Sequence, residues 1–276
     1  MNPRAAAAWS LAALTVALTT DNPVYRAIVL LCAFNVLLAF RRDGVRLRPL
    51  TLALTIAAAL SLAVSTLFSH TGVHALLHIP AAVPGIGGDI TLEAVVFGLT
   101  TGLGVAAAIA AAATLSLVVS AHELVDALPA ALARSGAALG TALNLIPSLG
   151  RSAIEIRDAQ RMRGWRPRRA RDWPDIAVPL VLSAIESSLT LAEAMEARGY
   201  GSSARTHFSV SAWRASDSVV VAAAVLAAAG FVALRVSGVV GDWYPFPSIT
   251  APPLNALAAI CCLLLAAPLL VWRRAQ

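Results

Sequence analysis

The longest apolar block of this chain reads TLEAVVFGLTTGLGVAAAIAAAATLSLVVS and occupies residues 91–120. Its single charged side chain, that of Glu93, lies near its start. A helix rises ~1.5 Å per residue, so about 20 apolar residues cross the ~30 Å hydrocarbon core of a bilayer. An unbroken apolar segment of this length is not expected in the core of a globular protein. We therefore predict that residues 91–120 contain a membrane span.

The rest of the chain follows the same pattern. Hydrophobic residues make up 58% of its 276 positions and charged residues only 13%, whereas about a quarter of the residues in a soluble domain are charged. Further apolar blocks occupy residues 5–20, 24–40, 49–68, 216–234 and 254–272. The first two reach only ~25 Å as helices, so they are either short spans or a tilted hairpin that enters part of the bilayer. The predicted fold is an all-α polytopic membrane protein with about six transmembrane helices.

The placement of arginine predicts the orientation of these spans. All 21 basic residues are arginines, and 19 of them fall in the segments that share one side of a six-span protein, residues 1–4, 41–48, 121–214 and 273–276. Positively charged loops stay on the cytoplasmic side. We therefore expect a multi-pass protein of the inner (plasma) membrane with both termini in the cytoplasm. The same rule accounts for the net charge of +6, so we expect no nucleic-acid partner.

The composition also excludes several kinds of chemistry. The chain has no lysine, which excludes a P-loop ATPase and a Schiff-base enzyme, because both require that side chain. Its three cysteines lie in apolar blocks, as small core residues do. Ionisable residues are nearly absent from the spans, which counts against a proton- or sodium-coupled carrier. We expect a non-catalytic protein without a cofactor or metal site, so any ATP must be hydrolysed by another subunit.

Residues 121–214 differ in character from both flanks. They hold 12 of the 21 arginines, mixed with acidic and apolar residues. We predict a cytoplasmic region of amphipathic helices, residues 121–214, between N-terminal transmembrane helices, residues 1–120, and a C-terminal transmembrane hairpin, residues 215–276. Its expected helices are an interfacial one at about 122–138, a second at 139–162, and a third from about 174 into residues 193–201.

The second and third of these helices end alike. One ends in Arg163-Gly164 followed by Trp165, and the other in Arg198-Gly199 followed by Tyr200. A glycine after the last helical residue is a common left-handed stop. An arginine in the last turn interacts favourably with the negative end of the helix dipole. These effects explain each ending alone, but they explain less well why two such helices lie in one cytoplasmic region.

This pair of endings resembles the coupling helices of the T components of energy-coupling factor transporters. The first helix matches through Leu145-Ile146-Pro147 and through DAQRMRG at 158–164, and the second through EAMEARGYG at 193–201. Both family helices end in Ala-Arg-Gly, and this chain departs from that pattern only in having Met162 at the first site. The Asn-Pro pairs at residues 2–3 and 22–23 resemble early Asn-Pro repeats of the family.

The resemblance implies a mechanical role. Two cytoplasmic ATP-binding subunits would each hold one coupling helix, and their closure around ATP would move a separate substrate-binding membrane subunit during uptake of a vitamin or transition-metal ion. The residues that the resemblance assigns to ATPase coupling are Arg163, Gly164, Ala197, Arg198 and Gly199. Arginine suits this contact because its rigid fork can bind a carboxylate with two hydrogen bonds.

Two other functions remain open at this stage. A conventional ABC transporter permease would carry one coupling loop per chain and form a symmetric pair. A membrane enzyme such as an alcohol phosphotransferase would need clustered carboxylates at a span end to hold metal and phosphate. Two coupling helices in one chain favour the asymmetric T component over the permease. The carboxylates Glu155 and Asp158 do not recur in such a cluster, which counts against the enzyme.

Two smaller patterns allow two interpretations each. His70, His74 and His78 share one face if residues 69–79 are helical, and we favour polar interfacial residues over metal ligands because that segment has no carboxylate. The glycines at 98, 102 and 104 allow close helix approach. They either pack within this subunit or offer a smooth surface on which the substrate-binding subunit tilts.

Overall fold

The computed structural model describes residues 2–42, 44, 46–69, 72–79, 88–128, 133–166, 172–199 and 213–272. The chain forms two compact units, one of residues 1–120 with 211–276 and the other of residues 121–210. We call them the membrane unit and the coupling unit. The roles that these names express stay predictions.

Helices dominate the described part of the chain, which confirms the all-α class. In chain order they are α1 (Pro3–Thr19), α2 (Pro23–Phe40), α3 (Arg48–Phe68), α4 (Leu92–Val118), α5 (Ala121–Asp126), α6 (Ala133–Met162), α7 (Pro174–Ala197), α8 (Ala215–Val236), α9 (Ala256–Leu264) and α10 (Ala267–Trp272). The strands β1 (Ala75–Ile79) and β2 (Gly88–Thr91) form one antiparallel pair.

Five of the described helices, α2, α3, α4, α7 and α8, are long and apolar enough to cross a membrane. The polytopic membrane fold is therefore confirmed, but the set differs from the predicted spans. It leaves out α1, which at 17 residues reaches only ~25 Å. It includes α7, which we predicted to lie in the cytoplasmic region.

The last apolar block is not the single continuous helix that we predicted. It divides into α9 and α10 after Leu264. Pro268 lacks the amide hydrogen that would donate to the carbonyl oxygen of Leu264, and its ring crowds that carbonyl. The backbone tightens there instead, with hydrogen bonds from Leu265 N to Cys262 O at 3.2 Å and from Ala266 N to Leu263 O at 2.9 Å.

The Asn-Pro pairs begin the first two helices. Asn2 Oδ1 accepts from Arg4 N at 3.1 Å, and Asn22 Oδ1 accepts from Val24 N at 2.9 Å. Asparagine is a strong N-cap residue, and proline fits the first helical position because its missing N–H would have no partner there. Asn22 also donates through Nδ2 to Pro253 O at 2.8 Å, which ties the α1–α2 turn to the start of the last apolar block.

The core of the membrane unit lies among α1, α2, α4, α8 and α9. Trp9 is fully buried, and its Nε1 donates to Leu265 O at 2.8 Å. The rings of Tyr25 and Phe231 meet edge to face at 5.8 Å between centroids. The three cysteines are free, and Cys32 and Cys262 are buried in this core, as predicted.

A chain of four charges joins the α1–α2 turn to the end of α8. Asp21 Oδ1 lies 3.2 Å from Arg26 Nη2, and Asp21 Oδ2 lies 3.1 Å from Arg235 Nη2. Arg235 also pairs with Asp242. Arg26 donates further to Thr20 O at 2.8 Å and to a backbone carbonyl of α4 at 3.0 Å. The two arginines that fall outside the predicted cytoplasmic segments are therefore held by this cluster.

The glycines of α4 pack within the membrane unit. A Cβ atom on Gly98 would lie 3.0 Å from Leu62 Cα, and one on Gly102 would lie 3.1 Å from Ala58 O, both backbone atoms of α3. A Cβ on Gly104 would lie 2.8 Å from Arg26 Nε of α2. The packing interpretation of these glycines is therefore confirmed.

We expect Gly102→Leu to lower the thermal midpoint of the purified protein, followed by circular dichroism in detergent. The new side chain forces α3 away from α4, and overpacking of this kind costs about 1–3 kcal/mol. Gly150→Leu is the matched control, because Gly150 also lies inside a helix but has no atom within 4 Å of its Cβ position. Equal midpoints for the two variants would contradict the close contact.

The helix over residues 69–79 that would align the histidines does not form in its described part. Residues 75–79 form β1, in which Ala75 lies opposite Thr91 and His78 opposite Asp89. The short apolar run ALLHI at residues 75–79 forms a strand when a second strand pairs with it. That second strand comes from residues 88–91, outside the histidine segment. His74 and His78 therefore do not share a helical face.

The strand pair brings the histidines to carboxylates that we did not associate with them. His74 Nδ1 lies 2.8 Å from Glu93 Oε1, and His78 pairs with Asp89. His70 lies outside the described residues. Across the part of the chain that the structure describes, no group of three or more His, Cys, Asp or Glu side chains is placed to hold a metal ion.

The continuous interfacial helix predicted for residues 122–138 is also wrong. α5 ends at Asp126, and the next helix, α6, begins at Ala133, six positions earlier than we expected. The break has a local cause, because Pro129 disfavours a helical conformation at the residue before it. The hydrogen bond from Leu128 N to Val125 O at 3.2 Å closes a tight turn there.

Candidate functional site

The first Arg-Gly ending closes α6, which passes without interruption through Pro147 and ends at Met162. Gly164 has a φ of +87°, the left-handed conformation that glycine adopts without cost. Gly164 N donates to Arg161 O at 3.0 Å, and Trp165 N donates to Gln160 O at 3.0 Å. This pair of bonds is the Schellman arrangement, which satisfies the last carbonyl groups of a helix.

The second Arg-Gly ending closes α7 in the same way. The helix ends at Ala197, Arg198 is its cap residue, and Gly199 has a φ of +74°. Gly199 N donates to Glu196 O at 2.8 Å. The predicted helix stops are therefore confirmed at both endings. Tyr200, the aromatic residue that follows the second stop, lies outside the described residues.

Both arginines extend from these endings toward solvent. Arg163 and Arg198 are exposed, and within the described ranges neither guanidinium has an ion-pair partner. Met162, beside the first arginine, is 85% exposed. Each ending thus presents an exposed guanidinium fork beside a closed helix stop, and such a fork can bind a carboxylate with two hydrogen bonds.

The two endings differ in their surroundings. An open groove of about 690 Å³ lies beside the first ending. It is lined by residues of that ending and of the first turns of α7, namely Gln160, Arg163, Gly164, Trp165, Pro174, Asp175, Val178 and Pro179. The second ending lies at the other end of α7, ~36 Å away along a 24-residue helix.

Asp175 joins the two sides of this groove. Its Oδ2 accepts from Trp165 Nε1 at 3.0 Å, and its backbone oxygen accepts from Gln160 Nε2 at 3.3 Å. Sequence reasoning did not assign a role to Asp175. A signal was present, because an indole N–H seeks an acceptor and Asp175 is the acidic residue of the first turn of α7, ten positions later.

We expect Gly199→Ala to destabilise the coupling unit and Gly199→Asn to be tolerated. A left-handed conformation costs an ordinary L-residue about 1–2 kcal/mol, whereas asparagine adopts it more readily. The measurement is the hydrogen exchange of the last turns of α7, which should quicken in the alanine variant only. Equal exchange in the alanine and asparagine variants would show that the φ of +74° is not needed to hold this stop.

The chain is similar to known transporter proteins. A family model described as CbiQ, cobalt transport protein, matches residues 1–210. The energy-coupling factor transporter transmembrane protein EcfT of Lactobacillus helveticus (strain DPC 4571) is 35% identical over 95 residues, which is 32% of this chain and 34% of that protein. EcfT 1 of Listeria monocytogenes serotype 1/2a (strain 08-5578) is 35% identical over 106 residues, or 36% of this chain and 40% of that protein.

The two curated relatives are matched over well under half of their length. The family model, by contrast, extends through all described residues of the coupling unit and through α1 to α4 of the membrane unit. Family membership therefore rests on the family model, and the activity and partners of the whole protein are matters for proposal.

Proposed function

The chain belongs to the CbiQ cobalt transport protein family, and from this premise we propose that it is the transmembrane coupling subunit of an energy-coupling factor importer. It works with two cytoplasmic ATP-binding subunits and a separate substrate-binding membrane subunit. Together they take up a vitamin or a transition-metal ion. The names of the family and of the two EcfT relatives favour this assignment.

The observation that carries the proposal is the pair of exposed Arg-Gly endings in one unit. Arg163 and Arg198 each follow a helix that is closed by a left-handed glycine. An ATP-binding subunit recognises each ending through an acidic groove residue that binds the guanidinium. Gly164 and Gly199 hold the stops in shape, and Ala197 leaves room beside the second arginine.

The proposed mechanism is the transfer of movement between proteins. When the ATP-binding subunits close around ATP, they pull on both endings and move the two coupling helices. Because α6 and α7 pack against one another, a force applied at either ending is transmitted to both helices. The coupling unit then moves the substrate-binding subunit. This chain performs no catalytic step, and the energy comes from ATP bound by its partners.

The apolar face of α7 supports a place at the membrane surface. Val178, Val181, Leu182, Ile185 and Leu189 are exposed and recur every three or four positions, so they form one stripe along the helix. An amphipathic helix with an apolar stripe of this kind lies in the interface of a bilayer. We propose that α7 lies along the cytoplasmic surface of the inner membrane, with both chain termini in the cytoplasm.

The experiment that tests this function is co-expression of the chain with the ATP-binding subunits encoded beside it. The intact complex is released from detergent and weighed by native mass spectrometry. We expect one copy of this chain with two ATP-binding subunits. Two copies of this chain with two ATP-binding subunits would indicate a conventional permease instead. A chain that carries no ATP-binding subunit would overturn the proposal.

A further inference from the structure

Asp175 contacts the two residues that close the first Arg-Gly ending. Trp165 N donates to Gln160 O at 3.0 Å and completes the helix stop. Both of these residues then bond to Asp175, the indole of Trp165 to its carboxylate at 3.0 Å and the amide of Gln160 to its backbone oxygen at 3.3 Å. The helix stop beside Arg163 is therefore hydrogen-bonded to α7 through one residue, Asp175.

The position of Asp175 in α7 makes it a firm point of attachment. Pro174 is the first residue of that helix and Asp175 the second. An acidic side chain in the first turn is stabilised by the positive end of the helix dipole, and proline presets the backbone of that turn. The carboxylate is thus held by its own helix while it accepts from the neighbouring one.

A glycine stop alone leaves the direction of the following chain free to vary. Gly164 has no atom within 4 Å of its Cβ position, so packing does not restrict it. The groove beside Arg163 is open, and its walls are formed by the same residues that Asp175 joins. The hydrogen bonds from Trp165 and Gln160 to Asp175 consequently limit how far the Arg163 ending swings from α7.

We propose that Asp175 is a positioning residue for the first ATP-binding subunit, and that it holds the Arg163 ending in the orientation in which that subunit is bound. It acts through Trp165 and Gln160 and does not itself contact the partner. This inference rests on the proposed coupling function. It concerns the first ending alone, because Tyr200, which follows the second stop as Trp165 follows the first, lies outside the described residues.

The test measures the affinity of each ending separately, in the full-length chain in detergent. The Arg198→Glu background isolates the first site and the Arg163→Glu background isolates the second, with the purified ATP-binding subunit as the titrant. Trp165→Phe keeps the ring but removes the donor, and Asp175→Ala removes the acceptor. Each should weaken the first site about fivefold to tenfold, the worth of one hydrogen bond. The second site should be unchanged.

Two further variants separate positioning from other effects. Asp175→Asn keeps an acceptor oxygen but loses the charge, and it should bind at the first site nearly as the parent does. Trp165→Phe combined with Asp175→Ala should be no worse than either change alone, because both remove the same bond. Equal first-site affinity in the parent and in Trp165→Phe would overturn the inference. Absence of binding to the unaltered chain would instead overturn the proposed function.

Discussion

Replacement of both Arg163 and Arg198 by glutamate is expected to abolish the retention of ATP-binding subunits during purification. Each change removes the guanidinium fork and places a like charge against the acidic partner that we propose. Truncation of one member of a buried, hydrogen-bonded charge pair costs about 2–5 kcal/mol. That range corresponds to roughly 30-fold to several-thousand-fold in affinity for each ending. The loss at both endings should leave no complex after washing.

The control for this prediction is Arg157→Glu. Arg157 lies in α6 and is exposed, but it pairs with its neighbour Asp158 at 3.4 Å and is not part of either ending. The same charge reversal there should leave the amount of co-purified ATP-binding subunit unchanged. If the double variant retained as much partner as Arg157→Glu, the Arg-Gly endings would be ordinary helix stops and the coupling assignment would fail.

Asp21→Ala is expected to destabilise the membrane unit strongly, because Asp21 is the shared counter-ion of two arginines. It bonds to Arg26 and Arg235, and the side chain of Arg26 is only 12% exposed. Removal of the carboxylate leaves the guanidinium groups of Arg26 and Arg235 without their shared counter-ion. A broken buried ion pair costs about 3–5 kcal/mol. Because Asp21 is 32% exposed, we expect the lower end of this range.

The matched control is Asp242→Ala, at the other end of the same cluster. Within the described part of the chain, Asp242 forms an ion pair with Arg235 only, and its side chain is 56% exposed. Exposed pairs contribute at most about 1 kcal/mol, so this variant should unfold close to the parent. The measurement is the thermal midpoint of each purified protein in detergent. Similar midpoints for the two variants would show that Asp21 is not the centre of the cluster.

Features that depend on neighbouring residues could be predicted from the sequence. The stops after Met162 and Ala197 were predictable because a glycine at the end of a charged helix adopts the left-handed conformation by itself. The starts of α1 and α2 follow from their Asn-Pro pairs for the same reason. The membrane class could be predicted from the length of the apolar blocks, because that length does not depend on the details of local structure.

Features that depend on distant residues could not be predicted. Nothing near Asp21 indicates its contact with Arg235, which lies 214 positions away. The strand of residues 75–79 needs the partner at 88–91, and a search for carboxylates within the histidine segment alone missed Asp89 and Glu93. The groove beside Arg163 likewise exists only because α7 returns to the end of α6.

Two errors arose from local signals that were present but outweighed. Pro129 marks the break between α5 and α6, and Pro268 marks the break between α9 and α10. In both places the hydrophobic pattern continues across the proline, so the pattern alone predicts one helix. The backbone prevails because a proline inside a helix costs ~3 kcal/mol.

The central claim is that closure of the ATP-binding subunits around ATP moves the coupling helices α6 and α7, and the distance between a label on each helix tests it most directly. Spin labels on Met162→Cys and Ala194→Cys, both at exposed positions, report this distance once Cys32, Cys261 and Cys262 are replaced by alanine. The labelled chain is assembled with its ATP-binding subunits and measured by pulsed electron paramagnetic resonance. We predict that ATP shifts this distance and that ADP restores it. A distance distribution that is the same with ATP, with ADP and without nucleotide would contradict the account.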